Sequence, residues 1–203
     1  MTFTYPLATS SWDQDEQDAL QRVITSDRFS MGAEVATFET QFAAHFGANY
    51  AVMVNSGSSA NLLMVAALCF SENPDLKLNA GDEIIVPAVS WSTTYFPLQQ
   101  YGLKLKFVDI DADTLNYDLD ALAEAVTDKT RALMVVNLLG NPNDFDRINQ
   151  ISAGRGIVMI EDNCESMGAT LNGKQAGTFG VMGTYSSFFS HHISTMEGGL
   201  VVT

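Results

Sequence analysis

Apolar residues recur at helical spacing at Val35, Phe38, Phe42 and Phe46, which marks one face of a helix ending at Gly47. Ahead of it, Ser10 or Ser11 can cap a helix over about residues 13–27, with acids in its first turn that suit the helix dipole. Residues 50–54 then read as a strand, NSGSSAN as a turn, and residues 60–70 as a mostly buried helix. Beyond that point short apolar runs alternate with helical patterns. Strands are expected at 83–86, 105–108, 132–136 and 157–160, the last running into Glu161 and Asp162. Helices are expected at 92–101, 119–126 and 145–153. Two or three more strands are expected within 177–203, separated by SHHISTMEGG. This alternation implies βαβ units and an α/β fold with a parallel or mixed sheet. The last residues, GGLVVT, are an apolar β-like run without a closing turn, so the chain is expected to be the N-terminal part of a longer protein.

Composition narrows the partners. The 203 residues include 10 Lys plus Arg against 24 Asp plus Glu, a formal charge of −14, with 46% hydrophobic and 17% charged residues. That mixture builds a globular core rather than a disordered chain. The acidity and the lack of clustered Lys/Arg argue against nucleic acid and against an anionic membrane surface. The longest apolar run, 62–70, is far short of the roughly 20 residues that span a bilayer. MTFTYPLATSSWDQDEQ has no signal-peptide pattern, and Cys69 and Cys164 are too few for a disulfide framework. A reducing, cytoplasmic setting is the simplest expectation.

Three stretches carry candidate chemistry. Gly57-Ser58-Ser59-Ala60 joins a strand to a helix, where backbone N–H groups and small hydroxyls form an anion site. A Ser-capped helix after a tight turn accounts for the same residues, and the spacing is neither a P-loop nor a dinucleotide fingerprint. Ile160-Glu161-Asp162-Asn163-Cys164-Glu165 places acids beyond the carboxyl end of a strand, where ligands of open α/β sheets sit. Asp162 there could pair with a protonated ring nitrogen or hold a metal, or be an ordinary solvated acid. Ser186-Ser187-Phe188-Phe189-Ser190-His191-His192 holds two of the three histidines. Adjacent histidines seldom share a metal and zinc spacing is absent, so no metal is expected; one imidazole suits a general base near neutral pH. Trp91 could stack on a flat ligand or fill the core. Cys164, with no basic residue near it in sequence, reads as an inert thiol.

Taken together and in order, FSMGAEVATFETQFAAHFG, VNSGSSANLL, GDEIIVPAVSWSTT, IVMIEDNCESMGA and TYSSFFSHHISTMEGG resemble the DegT/DnrJ/EryC1/StrS sugar aminotransferases, a branch of the fold-type I pyridoxal-phosphate enzymes. The resemblance covers nearly the whole chain. It implies a three-layer α/β/α fold with a mixed, mostly parallel central sheet, the large domain of such enzymes, here without the C-terminal small domain. Ordinary members carry a lysine eight residues before the last glycine of the E-G-G turn; counting back from Gly199 gives His191. That departure matches a subset of the family, the 3-dehydratases of 4-keto-6-deoxy nucleotide sugars. SHHISTMEGG, EDNCESMGA and NLLGNPNDF are most similar to its GDP-linked members, on the route to colitose in O-antigen lipopolysaccharide.

The resemblance implies pyridoxal 5'-phosphate and pyridoxamine 5'-phosphate as cofactor, bound without a covalent link because an imidazole forms no stable imine. Ser58, Ser59, Ala60 and Ser186 would hold the phosphate, Trp91 would stack on the ring, Asp162 would pair with the ring nitrogen and Glu165 would contact ring substituents. His191 would be the catalytic base, with His192 second choice. Phe29, Ser30, Met31 and Gly32 would contact the sugar. L-Glutamate would be the amine donor, the nucleotide sugar the substrate, and a homodimer the assembly, with diphosphate-binding cations in the C-terminal part and the partner subunit. Other readings remain open at this point: a CDP-linked dehydratase served by an iron–sulfur reductase, a non-catalytic cofactor-binding relative, or an unrelated α/β binding module.

Overall fold

The computed structural model describes residues 5, 6 and 9–203. Two helices open the chain, α1 (Gln14–Ser26) and α2 (Ala33–Phe46). The cap of α1 is Asp13, not Ser10 or Ser11. Its carboxylate accepts the Asp15 N–H, and the Glu16 carboxylate reaches back to the Asp13 N–H at 2.7 Å. That reciprocal pair satisfies two otherwise orphaned donors, which a lone serine cannot do. Helix α2 ends at Gly47 in the left-handed conformation, as the phenylalanine spacing predicts.

The expected βαβ rhythm follows, with β1 (Ala51–Val54), α3 (Gly57–Cys69), β2 (Glu83–Pro87), α4 (Ser92–Gln100), β3 (Lys104–Val108), α5 (Leu119–Ala125), β4 (Thr130–Val136), α6 (Phe145–Ser152) and β5 (Val158–Asp162). A hairpin of two-residue strands, β6 (Thr170–Leu171) and β7 (Lys174–Gln175), precedes β8 (Met182–Ser186) and β9 (Gly199–Val202). That hairpin and a single 3-10 turn at Leu138–Gly140 carry no hydrophobic period, so the sequence pattern does not announce them. Helix α3 starts three residues earlier than expected. Gly57 and two serines look like a loop, but Ser56 caps the helix by accepting the Ser59 N–H at 3.1 Å.

Seven strands form one sheet in the order β1-β9-β8-β5-β4-β2-β3. The pairs from β8 through β3 are parallel, and β9 runs antiparallel to both of its neighbours. Helices cover both faces, so the architecture is the expected three-layer α/β/α arrangement. On one face Met64, Val65 and Leu68 of α3 and Leu98 of α4 pack on Val86, Met134, Ile160 and Val201. On the other, Leu122 of α5 and Phe145 and Ile148 of α6 meet Ile85, Leu133 and Val135, while Phe42 and Phe46 of α2 enclose Tyr185. Each of these side chains contributes roughly 1.5–3 kcal/mol by burial. The packing fixes the strand ends, and those ends position the site.

A second device stiffens the same ends. Asn137, just after β4, donates to Asn163 at 2.7 Å and to Glu161, and accepts the Asn143 N–H at 2.9 Å. Glu161 is fully buried and takes the backbone N–H groups of Gly177 and Gly180, both at 2.7 Å. Burial pushes its pKa up, and those donors pull against the shift. The loops that frame the site are thereby tied to β5.

Candidate functional site

β5 ends on Asp162, whose carboxylate is almost fully buried against α3 and α4. One oxygen, Oδ2, accepts from Asn61 Nδ2 and from Thr94 Oγ1, both at 2.8 Å; the other, Oδ1, accepts the Cys164 N–H at 3.1 Å. Thr94 spends its hydrogen on Asp162, so Ser90, 2.8 Å away, donates to Thr94. Every partner of the carboxylate is a neutral donor.

Above Asp162 lies a cavity of about 450 Å³ at the carboxyl ends of the parallel strands. Ser58, Trp91, Asp162, Glu165, Ser186 and His191, six residues singled out from the sequence, line it. The first turn of α3 opens into it. Gly57 is there because α3 approaches β8 so closely: a Cβ at that position would lie 2.6 Å from Ser186 Cβ and 2.7 Å from Cys164 Sγ. Ser186 closes β8, and its hydroxyl accepts the Phe188 N–H at 3.3 Å. Glu165 accepts the Leu139 N–H at 3.2 Å. Trp91, the residue before α4, is 71% exposed, so it is a rim residue and not core filling.

His191 sits in the loop 187–198 between β8 and β9. The base of that loop is closed by the Ser187 N–H to Gly198 O at 3.0 Å and by a 2.6 Å contact between the Ser187 and Thr195 hydroxyls. The His191 N–H bonds Phe188 O at 2.9 Å. Burial lowers the imidazole pKa, helped by His192; the carboxylates of Glu165 and Asp162 oppose that shift. The same imidazole borders a smaller cavity of about 270 Å³, shared with Ser10, Ser11, Trp12 and Ser194. There the Trp12 indole N–H donates to Ser194 O at 3.2 Å, tying the N-terminal segment to the histidine's loop. Ser10 and Ser11, expected as helix caps, face this space.

The remaining expected residues lie elsewhere. Ala60 is fully buried in the core, and its N–H goes to Ser56 O at 2.9 Å. Ser59 gives its N–H to Ser56, while its hydroxyl accepts from Ser56 at 3.2 Å. Phe29 and Met31 are about as exposed as Trp91, Gly32 is the cap residue of α2, and none of residues 29–32 lines either cavity. His192 lines neither cavity. Cys164 does line the large cavity, but burial and the neighbouring Asp162 push its thiol pKa well up, as an inert thiol requires. Further lining residues are Phe188 and Ser190 of the histidine stretch, and Ser56, Ser90, Thr94 and Glu197, to which the sequence pattern assigns no role. Their signal was weak, since isolated serines and threonines in loops are common. Among the described residues no Lys or Arg lines either cavity, and no group of three or more His, Cys, Asp or Glu could hold a metal ion. Among them also, no helix is long and apolar enough to cross a membrane.

Known proteins share the sequence and the fold of this chain. The sequence pattern of the DegT/DnrJ/EryC1/StrS aminotransferase family matches residues 10–203. The chain belongs to this family. It is 67% identical, over 98% of its length, to a GDP-4-keto-6-deoxy-D-mannose 3-dehydratase of Escherichia coli O55:H7, and covers 51% of that protein. A GDP-4-keto-6-deoxy-D-mannose 3-dehydratase of Yersinia pseudotuberculosis is 65% identical over 98% of the chain, which covers 50% of it. A crystal structure of GDP-4-keto-6-deoxymannose-3-dehydratase with a trapped PLP-glutamate geminal diamine superposes with a TM-score of 0.95 at 66% identity, over 98% of this chain and 51% of that one. The chain therefore spans about half the length of the relatives it matches.

Proposed function

We propose that this chain forms the cofactor-binding part of a pyridoxal-phosphate-dependent 3-dehydratase of a nucleotide-linked 4-keto-6-deoxyhexose, the GDP-linked mannose derivative being favoured. One observation carries the reading: the cavity at the strand ends is lined by a buried carboxylate, a helix N-terminus with hydroxyls and an imidazole, and among the described residues no lysine lines it.

The residues fit that cofactor in its unlinked form. A phosphate finds the partial positive charge and hydroxyls of the α3 N-terminus, chiefly at Ser58, with Ser186 packed against the same turn; Ser59 and Ala60 belong to that turn without lining the cavity. Gly57, having no side chain, lets that turn pack directly on Ser186 and Cys164. Trp91 offers an exposed indole face to a flat ring, and Asp162 an acceptor for a protonated ring nitrogen. Glu165, which lines the same cavity, would contact the ring substituents. With no amine in the wall, these contacts alone must hold the group.

Bound there, pyridoxamine phosphate supplies an amine for the sugar's C4 ketone and an electron sink that lets the C3 hydroxyl leave. His191 acts on protons only. It takes one up beside the cofactor ring and delivers it to the departing C3 oxygen, which then leaves as water. Its lowered pKa leaves the neutral, proton-accepting form abundant near pH 7. The nitrogen would leave as ammonia when water returns C4 to a ketone, and L-glutamate, leaving as 2-oxoglutarate, would restore the amine. The 67% identity to a named 3-dehydratase supports the substrate class. A role in deoxysugar and O-antigen synthesis leading to colitose, in the cytoplasm, is part of the same proposal. The sugar would approach past the rim on which Phe29, Ser30, Met31 and Gly32 were expected. The cations for the diphosphate would come from the C-terminal part and from the partner subunit of a homodimer; among the described residues no Lys or Arg lines the cavity.

The test is product analysis with purified protein, GDP-4-keto-6-deoxymannose, pyridoxal phosphate and glutamate, and no reductase. Release of a 3-deoxy-4-keto sugar with 2-oxoglutarate is expected. Transfer of the amine to C4 with the C3 hydroxyl retained would refute the assignment.

A further inference from the structure

Asn61 is 1% exposed within α3, a helix whose other large buried side chains are apolar. An amide buried there costs about 1–3 kcal/mol unless it is bonded, so its bonds explain its presence. They run to three elements. Nδ2 donates to Asp162 Oδ2 on β5 at 2.8 Å and to Thr93 O on α4 at 3.4 Å; Oδ1 accepts from Thr184 Oγ1 on β8 at 2.7 Å. Asp162 Oδ2 and Thr93 O can only accept, so the NH₂ group faces them, and Oδ1 is left for the Thr184 hydroxyl, which also lies 3.3 Å from Glu161 O.

We propose that Asn61 is a positioning residue of the cofactor site, aiming the Asp162 carboxylate at the cofactor's ring nitrogen and setting its distance from the phosphate end. The inference rests on the proposed pairing of Asp162 with that nitrogen. Asn61 lies one helical turn beyond Gly57 and Ser58, so a single rigid helix carries both the anion-binding turn and the group that holds the carboxylate. Phosphate and ring nitrogen are fixed points of one small molecule, and one helix fixes both of their partners. The chemistry of the donor matters as well. A lysine or arginine here would hold Asp162 equally firmly but would compete with a ring N–H⁺ for its charge; a neutral amide orients the carboxylate and leaves its charge for the ligand. Thr94, the other donor to Oδ2, is neutral too.

The test compares binding of pyridoxal phosphate with that of its 1-deaza analogue, in which carbon replaces the ring nitrogen, by absorbance titration of the purified protein. Asn61→Leu is expected to weaken pyridoxal phosphate by about tenfold while changing the analogue less than about twofold. Thr184→Val, which removes the hydroxyl that anchors Oδ1 of Asn61, should show the same selective loss at smaller size and serves if Asn61→Leu does not fold. Equal losses for both compounds would mean a merely structural amide, and no loss for either would mean an idle one; both results overturn the proposal. Asp162→Ala is the control: if it binds both compounds as the wild type does, the pairing beneath the inference is what fails.

Discussion

The two walls of the large cavity are built in opposite ways. The Asp162 wall is made of strand ends and helix starts. Its carboxylate takes three hydrogen bonds, Ser186 is buried, and Gly57 leaves no slack between α3 and β8. The His191 wall is a loop closed at its base by Ser187, Thr195 and Gly198, with Phe189, Ile193 and Met196 each more than 40% exposed. A group that must be held without a covalent bond needs the first kind of wall, because preorganised donors and acceptors bind without ordering cost. A base that takes a proton at one atom and returns it at another needs the second. Binding and proton transfer should therefore separate under mutation.

The largest separation is expected at position 191. His191→Asn should lower turnover by about 10²–10⁴-fold while leaving pyridoxal phosphate affinity within about twofold, read by steady-state rates beside an absorbance titration. Comparable loss of affinity would erase the distinction between the walls. On the rigid side, Asp162→Ala should weaken the cofactor by roughly 1.5–3 kcal/mol, the worth of a charge-assisted bond, in the same titration. Gly57→Ala forces a methyl group into Ser186 and Cys164 and should cost about 1–3 kcal/mol of stability, seen as a lower Tm with weaker cofactor binding. An unchanged Tm would mean that α3 and β8 are not locked together.

On the loop side, pH should act through His191. Burial lowers its pKa, and a base works when neutral, so rate is retained as pH falls until it passes the lowered value. The acid limb of kcat/KM should lie below the ~6.5 of a free imidazole and vanish in His191→Asn. A limb above that value would contradict the assigned environment. The smallest effect is expected at Trp12→Phe, which removes the indole bond to Ser194 O, worth about 0.5–1.5 kcal/mol. A few-fold fall in kcat with unchanged cofactor affinity would show that the N-terminal segment steadies the histidine loop and not the binding wall.

The rigid wall was the more legible in sequence, for a physical reason. Strand β5 is a continuous apolar run ending in acids, so period and position together place Asp162 at a strand end. Helix α3 showed its apolar body but hid its first turn, because Gly57, Ser58 and Ser59 carry loop-like propensities that the Ser56 cap overrides. Asn61 left a signal that passed unread: a lone amide amid apolar helix neighbours. The second cavity was beyond reach, since nothing local in residues 9–12 foretells contact with a loop some 180 positions away. What turned scattered candidates into one site was the ordered set of family segments, and above all the histidine in the lysine's place.

The most direct test of the account asks whether the cofactor is held without a covalent bond. Native protein saturated with pyridoxal phosphate is reduced with borohydride and examined by mass spectrometry and peptide mapping. The account predicts no stoichiometric adduct on any lysine of the native chain, and one at position 191 in His191→Lys. A stoichiometric adduct on a lysine of the native chain would contradict it.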